Sequence, residues 1–411
     1  MDVRPPLCTL HGLWSRSVLR SFMSLRLLPL AGLHGCIRLL RALGLLTVLA
    51  GPCALAAGRA MPAPEIYHYY VDPAGSDANP GTAQAPFQTI LRASRNALPG
   101  TVIHVAPGAY RGGFKTEMSG TATQRIVYVS TNKWGARLVP PVNSDNDTGW
   151  DNRGNYVDIV GFDVDGSVSP QGVKWTHGIY IGGSYNVVRD NHVHHLARAT
   201  ACTSAGGSGI GVDSYYHGVR NNVIGNTVND IGPPGCRFVQ GIYISTTGTA
   251  HNNVVYGIGG AAIQMWHDAN SVVVSNNTVS GASTGILVGG GDYYHTRGPN
   301  DYTSVHNNIV FDNQYGISEQ GDTGQHNSYR NNLVFKNSVA DWRLANGLAH
   351  SNTVAQAPHF VRYGRRGAPD FRLRASSPAI GKGTHELALP ADIAGRARTP
   401  ATGIDIGAYQ H

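Results

Sequence analysis

Three short segments each combine an acid, an aromatic ring and an imidazole: Trp266-His267-Asp268, Asp213-Ser214-Tyr215-Tyr216-His217 and Asp292-Tyr293-Tyr294-His295. A fourth, Glu319-Gln320-Gly321-Asp322, is acidic without the rings. Imidazole and phenol groups transfer protons, a carboxylate fixes an imidazole tautomer or holds a cation, and an aromatic face stacks on a sugar ring. One such segment alone reads as a strand end whose His and Tyr pair with loop backbone. Three matching ones point to a shared surface. His267 and His295, with Tyr294, are therefore the candidate proton-transfer groups. Asp268 is the candidate partner of His267, and Trp266 the candidate sugar platform.

Segments so far apart in the chain meet only if a repeat stacks them. From Tyr156 onward one phrase recurs, Asn-x-Val or a close variant, at Asn191, Asn226, Asn253, Asn277, Asn308, Asn332 and Asn352. A second element accompanies it: Gly178-Ile-Tyr-Ile, Gly209-Ile-Gly-Val, Gly241-Ile-Tyr-Ile, Ala262-Ile-Gln-Met, Gly285-Ile-Leu-Val and Gly316-Ile-Ser-Glu. Short apolar strands separated by Gly and Asn turns are what the coils of a parallel β-helix require. Stacked coils repeat each side chain about every 4.8 Å, so the asparagines form an amide ladder with a structural role.

Counted from each Gly or Ala as zero, strict alternation turns the Ile inward and position +2 outward: Tyr180, Gly211, Tyr243, Gln264, Leu287 and Ser318. Tyr180, Tyr243 and Gln264 become candidate substrate contacts, joined by Tyr215 and Glu319 in the loops that follow. Lys174 and Arg237 each stand four residues before their Gly, two coils apart. That separation is about 10 Å by the strand spacing, which suits cations facing successive carboxylated sugars. Asp213, Asp268 and Asp292 offer oxygen ligands of the type Ca2+ takes, although their spacing matches no calcium-loop motif.

Composition agrees with an all-β, turn-rich chain: 411 residues hold 52 Gly and only 14% charged residues. The net charge of +7 invites a nucleic-acid reading, but residues 1–60 carry seven Arg and one Asp. The remainder holds 25 basic against 24 acidic residues, which excludes a general polyanion surface. Within that leader, Arg38 and Arg41 precede the apolar run 42–50 and the small residues Ala54-Leu55-Ala56. Residues 1–57 therefore read as a secretory signal peptide, with Met1 or Met23 as the start, and the run is too short for a membrane span. A secreted or periplasmic location follows. Removal of the leader leaves Cys202 and Cys236 alone. They fall in nearly the same column of adjacent coils, within disulfide reach.

Residues 61–154 are expected to form an N-terminal cap and first coils, 155–360 the Asn-ladder coils, and 361–411 an irregular C-terminal cap. Phe87–Leu98 has helical apolar spacing and ends at Pro99-Gly100, suited to covering an open end of strand edges. The opening "YYVDPAGSDANPGTAQAPFQTI" with "LPGTVIHVAPGAYRG" resembles the secreted right-handed parallel β-helix proteins of the pectate-lyase-like superfamily and is similar to polysaccharide lyase family 9. The ending "SPAIGKG…DIAGRAR…DIGAYQ" is similar to the terminal segment of bacterial members. The resemblance implies a single right-handed parallel β-helix acting on an acidic polysaccharide by β-elimination. Departures matter too. The Asp-rich calcium segment and nearby catalytic Lys of family 9, the polygalacturonase carboxylate pattern and the Asp-Pro-His-Asp signature of alginate epimerases are not found. A hydrolase or epimerase using Asp213, Asp268 and Glu319, and a carbohydrate-binding protein without turnover, stay open as alternatives.

Overall fold

In a computed structural model, the structure describes residues 66–142, 147–167, 174–203, 206–399, 401 and 403–411. The leader expected at 1–57 lies outside these residues. The described part is one compact unit within 62–411, and no helix in it is long and apolar enough to cross a membrane.

Each complete coil contributes one strand to each of three parallel sheets. Thr101–Val105, Gly108–Arg111 and Phe114–Thr116 are the first such triplet, and Ile126–Ser130, Ala136–Val139 and Thr148–Asn152 the next. The first sheet has 11 strands, and the second and third have nine each. This is the expected right-handed parallel β-helix. In the third sheet Ile179, Ile210, Ile242, Ile263, Ile286 and Ile317 stack in register and are fully buried. Removing such a side chain from water stabilises the fold by about 1.5–3 kcal/mol.

The glycines before those isoleucines break the alternation. A Cβ on Gly178, Gly209, Gly241, Gly285 or Gly316 would lie 2.4–2.8 Å from a core valine methyl, so the position faces inward, like the Ile that follows it. Two consecutive inward positions leave residues on both sides of them, at −1 and +2, pointing outward.

The asparagine ladder runs unbroken from Asn191 through Asn226, Asn253, Asn277 and Asn308 to Asn332, with Nδ2 to Oδ1 distances of 2.9–3.1 Å. Each Oδ1 also accepts the backbone N–H of the ladder residue before it, as Asn277 does from Asn253 at 2.9 Å. Asn352 does not extend it. The register pairs Arg330 with Ser351 and Leu333 with Val354, so Thr353 stands opposite Asn332. Asn352 falls opposite Asn331 instead, and both take φ of 52° in the left-handed region that Asn tolerates.

The expected N-terminal helix forms at Ile90–Arg95, capped by Thr89, whose Oγ1 accepts from the Arg92 N–H at 3.1 Å. Ile90 and Ala93 are buried, packing the helix onto the first and third sheets. Trp342, Leu344 and Leu348 pack against the core near the last strands. The C-terminal segment runs sideways: Phe360, Phe371, Leu373, Ile406 and Ala408 pack on Val254, Tyr256, Ile309, Phe311 and Leu333 of the second sheet. Its polar anchors are the corner asparagines. Asn252 bonds Ala391 O, Asn276 bonds Asp405 O, Asn307 bonds Thr384 O and Asn331 bonds Lys382 O, at 2.8–3.1 Å. Cys202 and Cys236 form the expected disulfide, with Cα atoms 5.5 Å apart.

Burial lowers the His251 imidazole from its ordinary 6.5 to about 4, helped by Arg398 nearby. The folded state therefore holds this ring neutral, while the unfolded chain takes up the proton below about 6.5. Stability contributed by His251 is present above that pH and is lost as pH falls toward 4, by up to about 3 kcal/mol. Urea midpoints of wild type between pH 7 and 4 should fall more steeply than those of His251→Gln. Equal slopes would exclude His251 as a source of acid sensitivity.

Candidate functional site

The outer face of the third sheet and its following loops form a groove of about 660 Å³. The register Tyr180–Gly211–Tyr243–Gln264–Leu287 supplies its floor, as alternation requires. Trp266, His267, Asp213, Asp292, Tyr294 and Arg237 line the same groove. His177 and Gln240 also line it, at position −1 of their strands. Strict alternation hides them; the inward glycine is the signal that reveals them.

Trp266 owes its position to small neighbours. A Cβ on Gly289 or Gly321 would come within 2.7 Å of the indole, so the ring lies on a floor that only glycine leaves open. Its Nε1 points to Asp292 Oδ2 at 3.4 Å.

His267 follows at the exit of the strand Ala261–Met265, with φ of 50° turning the chain into the loop. Its Nδ1 lies 2.7 Å from the Asp292 carbonyl oxygen. A carbonyl only accepts, so Nδ1 carries the proton and Nε2 is bare. Tyr294 donates its hydroxyl to that Nε2 at 2.8 Å, and the two rings stack with centroids 4.0 Å apart. Burial, then Asp213, Asp268 and Asp292, push the Tyr294 phenol up to about 12. It remains protonated across the neutral range. Beneath the pair, Tyr243 meets His267 edge-on at 6.0 Å, and burial holds its phenol well above the usual range.

Several sequence candidates have other duties. Asp268 does not face His267: its carboxylate accepts from the backbone N–H groups of Tyr294, His295 and Thr296 and from the Ser214 and Thr296 hydroxyls. Burial raises its pKa, but those hydrogen bonds outweigh burial and hold it below the ordinary value. It shapes the Tyr294 loop. His295 donates Nε2–H to Ser214 O at 2.9 Å and stacks on His217, clamping that loop to the Ser214–His217 loop three coils back. Tyr215 is 57% exposed and meets Tyr294 edge-on at 5.4 Å, flanking the groove. Glu319 is buried, accepting from Asn327, Tyr329 and the Ala345 N–H, so it offers nothing to a substrate. Lys174 lines a separate cavity of about 320 Å³ with Trp175, His195 and Arg198, leaving Arg237 as the Lys or Arg of the groove among the described residues.

The carboxylates do not fit Ca2+. Asp213 is occupied by Tyr180, Ser245 and the Tyr215 N–H, and Asp268 by the five donors above. Among the described residues, Asp213, Asp268 and Asp292 do not form a group of converging ligand atoms.

Strands and groove together define a right-handed parallel β-helix with a side-chain-lined groove on its third sheet. Residues 69–228 match the family described as Pel9A-like, right-handed beta helix region. Two solved structures are similar over most of their length. Pectate lyase Pel9A has a TM-score of 0.60 at 18% identity, covering 84% of this chain and 96% of that one. A rhamnogalacturonan lyase has 0.56 at 18% identity, covering 78% and 97%. At that identity the likeness shows the fold. Uncharacterized protein YwoF of Bacillus subtilis (strain 168) is 28% identical over 142 residues, so the match spans 29% of that protein's length.

Proposed function

We propose that this protein is a secreted polysaccharide lyase that cleaves an acidic, uronate-containing polysaccharide by β-elimination. The observation that carries the reading is the His267–Tyr294 pair, with one bare imidazole nitrogen and one phenol hydroxyl 2.8 Å apart in an aromatic-lined groove. Elimination needs a base for the C5 proton and an acid for the departing O4. His267 Nε2 takes the C5 proton, the released electron pair forms the C4=C5 bond, and the C4–O4 bond breaks as Tyr294 protonates O4. The proton on Nε2 then returns to the Tyr294 phenolate across their hydrogen bond, restoring both groups. Arg237, with no carboxylate partner among the described residues, balances the uronate charge. Pectate lyase Pel9A and the rhamnogalacturonan lyase are by name lyases of pectate and rhamnogalacturonan, which supports the substrate class.

A two-carboxylate hydrolase is less well supported, since Asp268 and Glu319 are buried and fully bonded. Incubation with polygalacturonate, rhamnogalacturonan and alginate should generate the ultraviolet absorbance of an unsaturated uronate on at least one of them. New reducing ends without that absorbance mean hydrolysis, and inversion at C5 without cleavage means epimerisation. Binding without any product leaves a carbohydrate-binding protein. On a substrate that is cleaved, Trp266→Ala should raise KM about tenfold with kcat nearly kept, because the indole holds sugar and transfers no proton. An unchanged KM would remove Trp266 from the binding surface.

A further inference from the structure

Away from the groove, on the outer face of the second sheet, two histidines and two aspartates from adjacent strands converge. Asp163 and Asp165 lie on one strand, His192 and His194 on the next, in the register Asp163–His192 and Asp165–His194. Asp163 Oδ1 is 3.0 Å from His192 Nδ1 and 2.9 Å from His194 Nε2. Among the described residues, these ligand atoms form one of two groups close enough to share a metal ion; the other is Asp165, His194 and His195.

The hydrogen count in this cluster does not close with neutral rings. Asn229 gives its Nδ2 to Asp230 Oδ2 at 2.7 Å, which fixes the amide and turns Oδ1 toward His192 Nε2 at 2.9 Å. His192 therefore carries its proton on Nε2, and its bare Nδ1 faces a carboxylate oxygen, two acceptors with nothing between them. On the far side of His194, Nδ1 faces His195 Nδ1 and lies 3.5 Å from Asp165 Oδ1. Either ring can hold the proton between the two Nδ1 atoms; with it on His194, which also serves Asp165, Nε2 presents a lone pair toward Asp163 as well. In that tautomer two imidazole lone pairs and one carboxylate lie within ligand distance of one another.

We propose that Asp163, His192 and His194 bind a divalent transition-metal ion of the Zn2+ class, with a solvent molecule completing the set. Imidazole nitrogen with carboxylate oxygen suits such an ion, whereas Ca2+ takes oxygen alone. Metal–ligand bonds of about 2.0–2.1 Å in tetrahedral geometry separate ligand atoms by about 3.3 Å, slightly beyond the present spacings. The outer partners have the form that orients metal-bound imidazoles: Asn229 holds the far nitrogen of His192, and Asp165 with His195 that of His194. Arg137, bonded to Asp165 and 3.8 Å from Asp163 Oδ2, leaves the cluster one negative charge to receive the cation. His192 is partly exposed, which gives the ion a path in. The ion ties two successive coils on a face the substrate groove does not use.

The test uses the full chain without a histidine tag, stripped with chelator and titrated with Zn2+ by calorimetry, then with Co2+ by visible absorption. One Zn2+ per chain, a raised melting temperature and ligand-field bands from Co2+ are expected. His192→Gln and Asp163→Asn should each weaken Zn2+ binding about 100-fold or more, while His68→Gln, at the exposed His68–His104 pair, leaves it unchanged. Circular dichroism confirms that each variant is folded, and Asp163→Asn decides the matter if the His192 variant is not. Absence of saturable Zn2+ binding to wild type overturns the proposal. So do binding that survives both cluster variants and nitrogen NMR showing His192 doubly protonated at pH 8 whether or not Zn2+ is present.

Discussion

His267→Ala is expected to lower kcat on the cleaved polysaccharide by about 10²–10⁴-fold while leaving KM close to wild type. Nε2 of His267 is the bare acceptor of the groove, and its Nδ1 is already committed to the Asp292 carbonyl. Tyr294→Phe should cost a comparable factor, because the stacked ring remains while the hydroxyl proposed to protonate O4 is gone. The two losses should not multiply in the double variant, since each removes the same proton circuit. Asp268→Asn behaves differently: it unsettles three backbone N–H groups of the Tyr294 loop, so melting temperature and turnover fall together. Calorimetry with single-turnover kinetics on all four variants separates these outcomes. Full turnover in a folded His267→Ala protein would end the assignment of proton transfer to this pair.

The second large effect is on stability. Asn277→Leu should lower the unfolding free energy by about 5 kcal/mol, as several buried groups lose their partners at roughly 1–3 kcal/mol each. Asn277 Oδ1 accepts from the Asn253 backbone and side chain, and its Nδ2 donates to Ala250 O, Ser275 O and Asn308 Oδ1. Leucine satisfies none of them and is larger than the site. Equilibrium urea unfolding measures the loss. An Asn277→Leu protein with unchanged midpoint but lost activity would mean that the ladder belongs to the site.

The repeat was legible because each coil restates the same turn and strand chemistry, so Asn191 to Asn332 and the stacked isoleucines fall into columns in the sequence itself. Asn352 shows where that ends. Its distance to Val354 matches the ladder pattern, yet pairing register, which no single coil encodes, moves it to the corner. The groove was half legible. Position +2 placed Tyr180, Tyr243 and Gln264 correctly, while the inward glycine turned His177 and Gln240 outward unnoticed. In the loops, residue type could not say which way a side chain turns. Asp268, His295 and Glu319 have suitable chemistry, and backbone donors and acceptors claim all three.

A solenoid whose coils touch only their neighbours frays from its ends, one coil at a time. The sideways C-terminal segment changes that for part of this one, because Asn252, Asn276, Asn307 and Asn331 on four successive coils all bond to it. None of these coils can open without releasing a segment that also grips the other three. They therefore form a single opening unit, and amide hydrogens there should exchange at one common free energy, while those of the first coils, which this strap does not reach, exchange in graded steps. Trp266, His267 and Tyr294 project from coils inside that unit, so the proposed proton-transfer pair is borne by the part of the solenoid least free to fray.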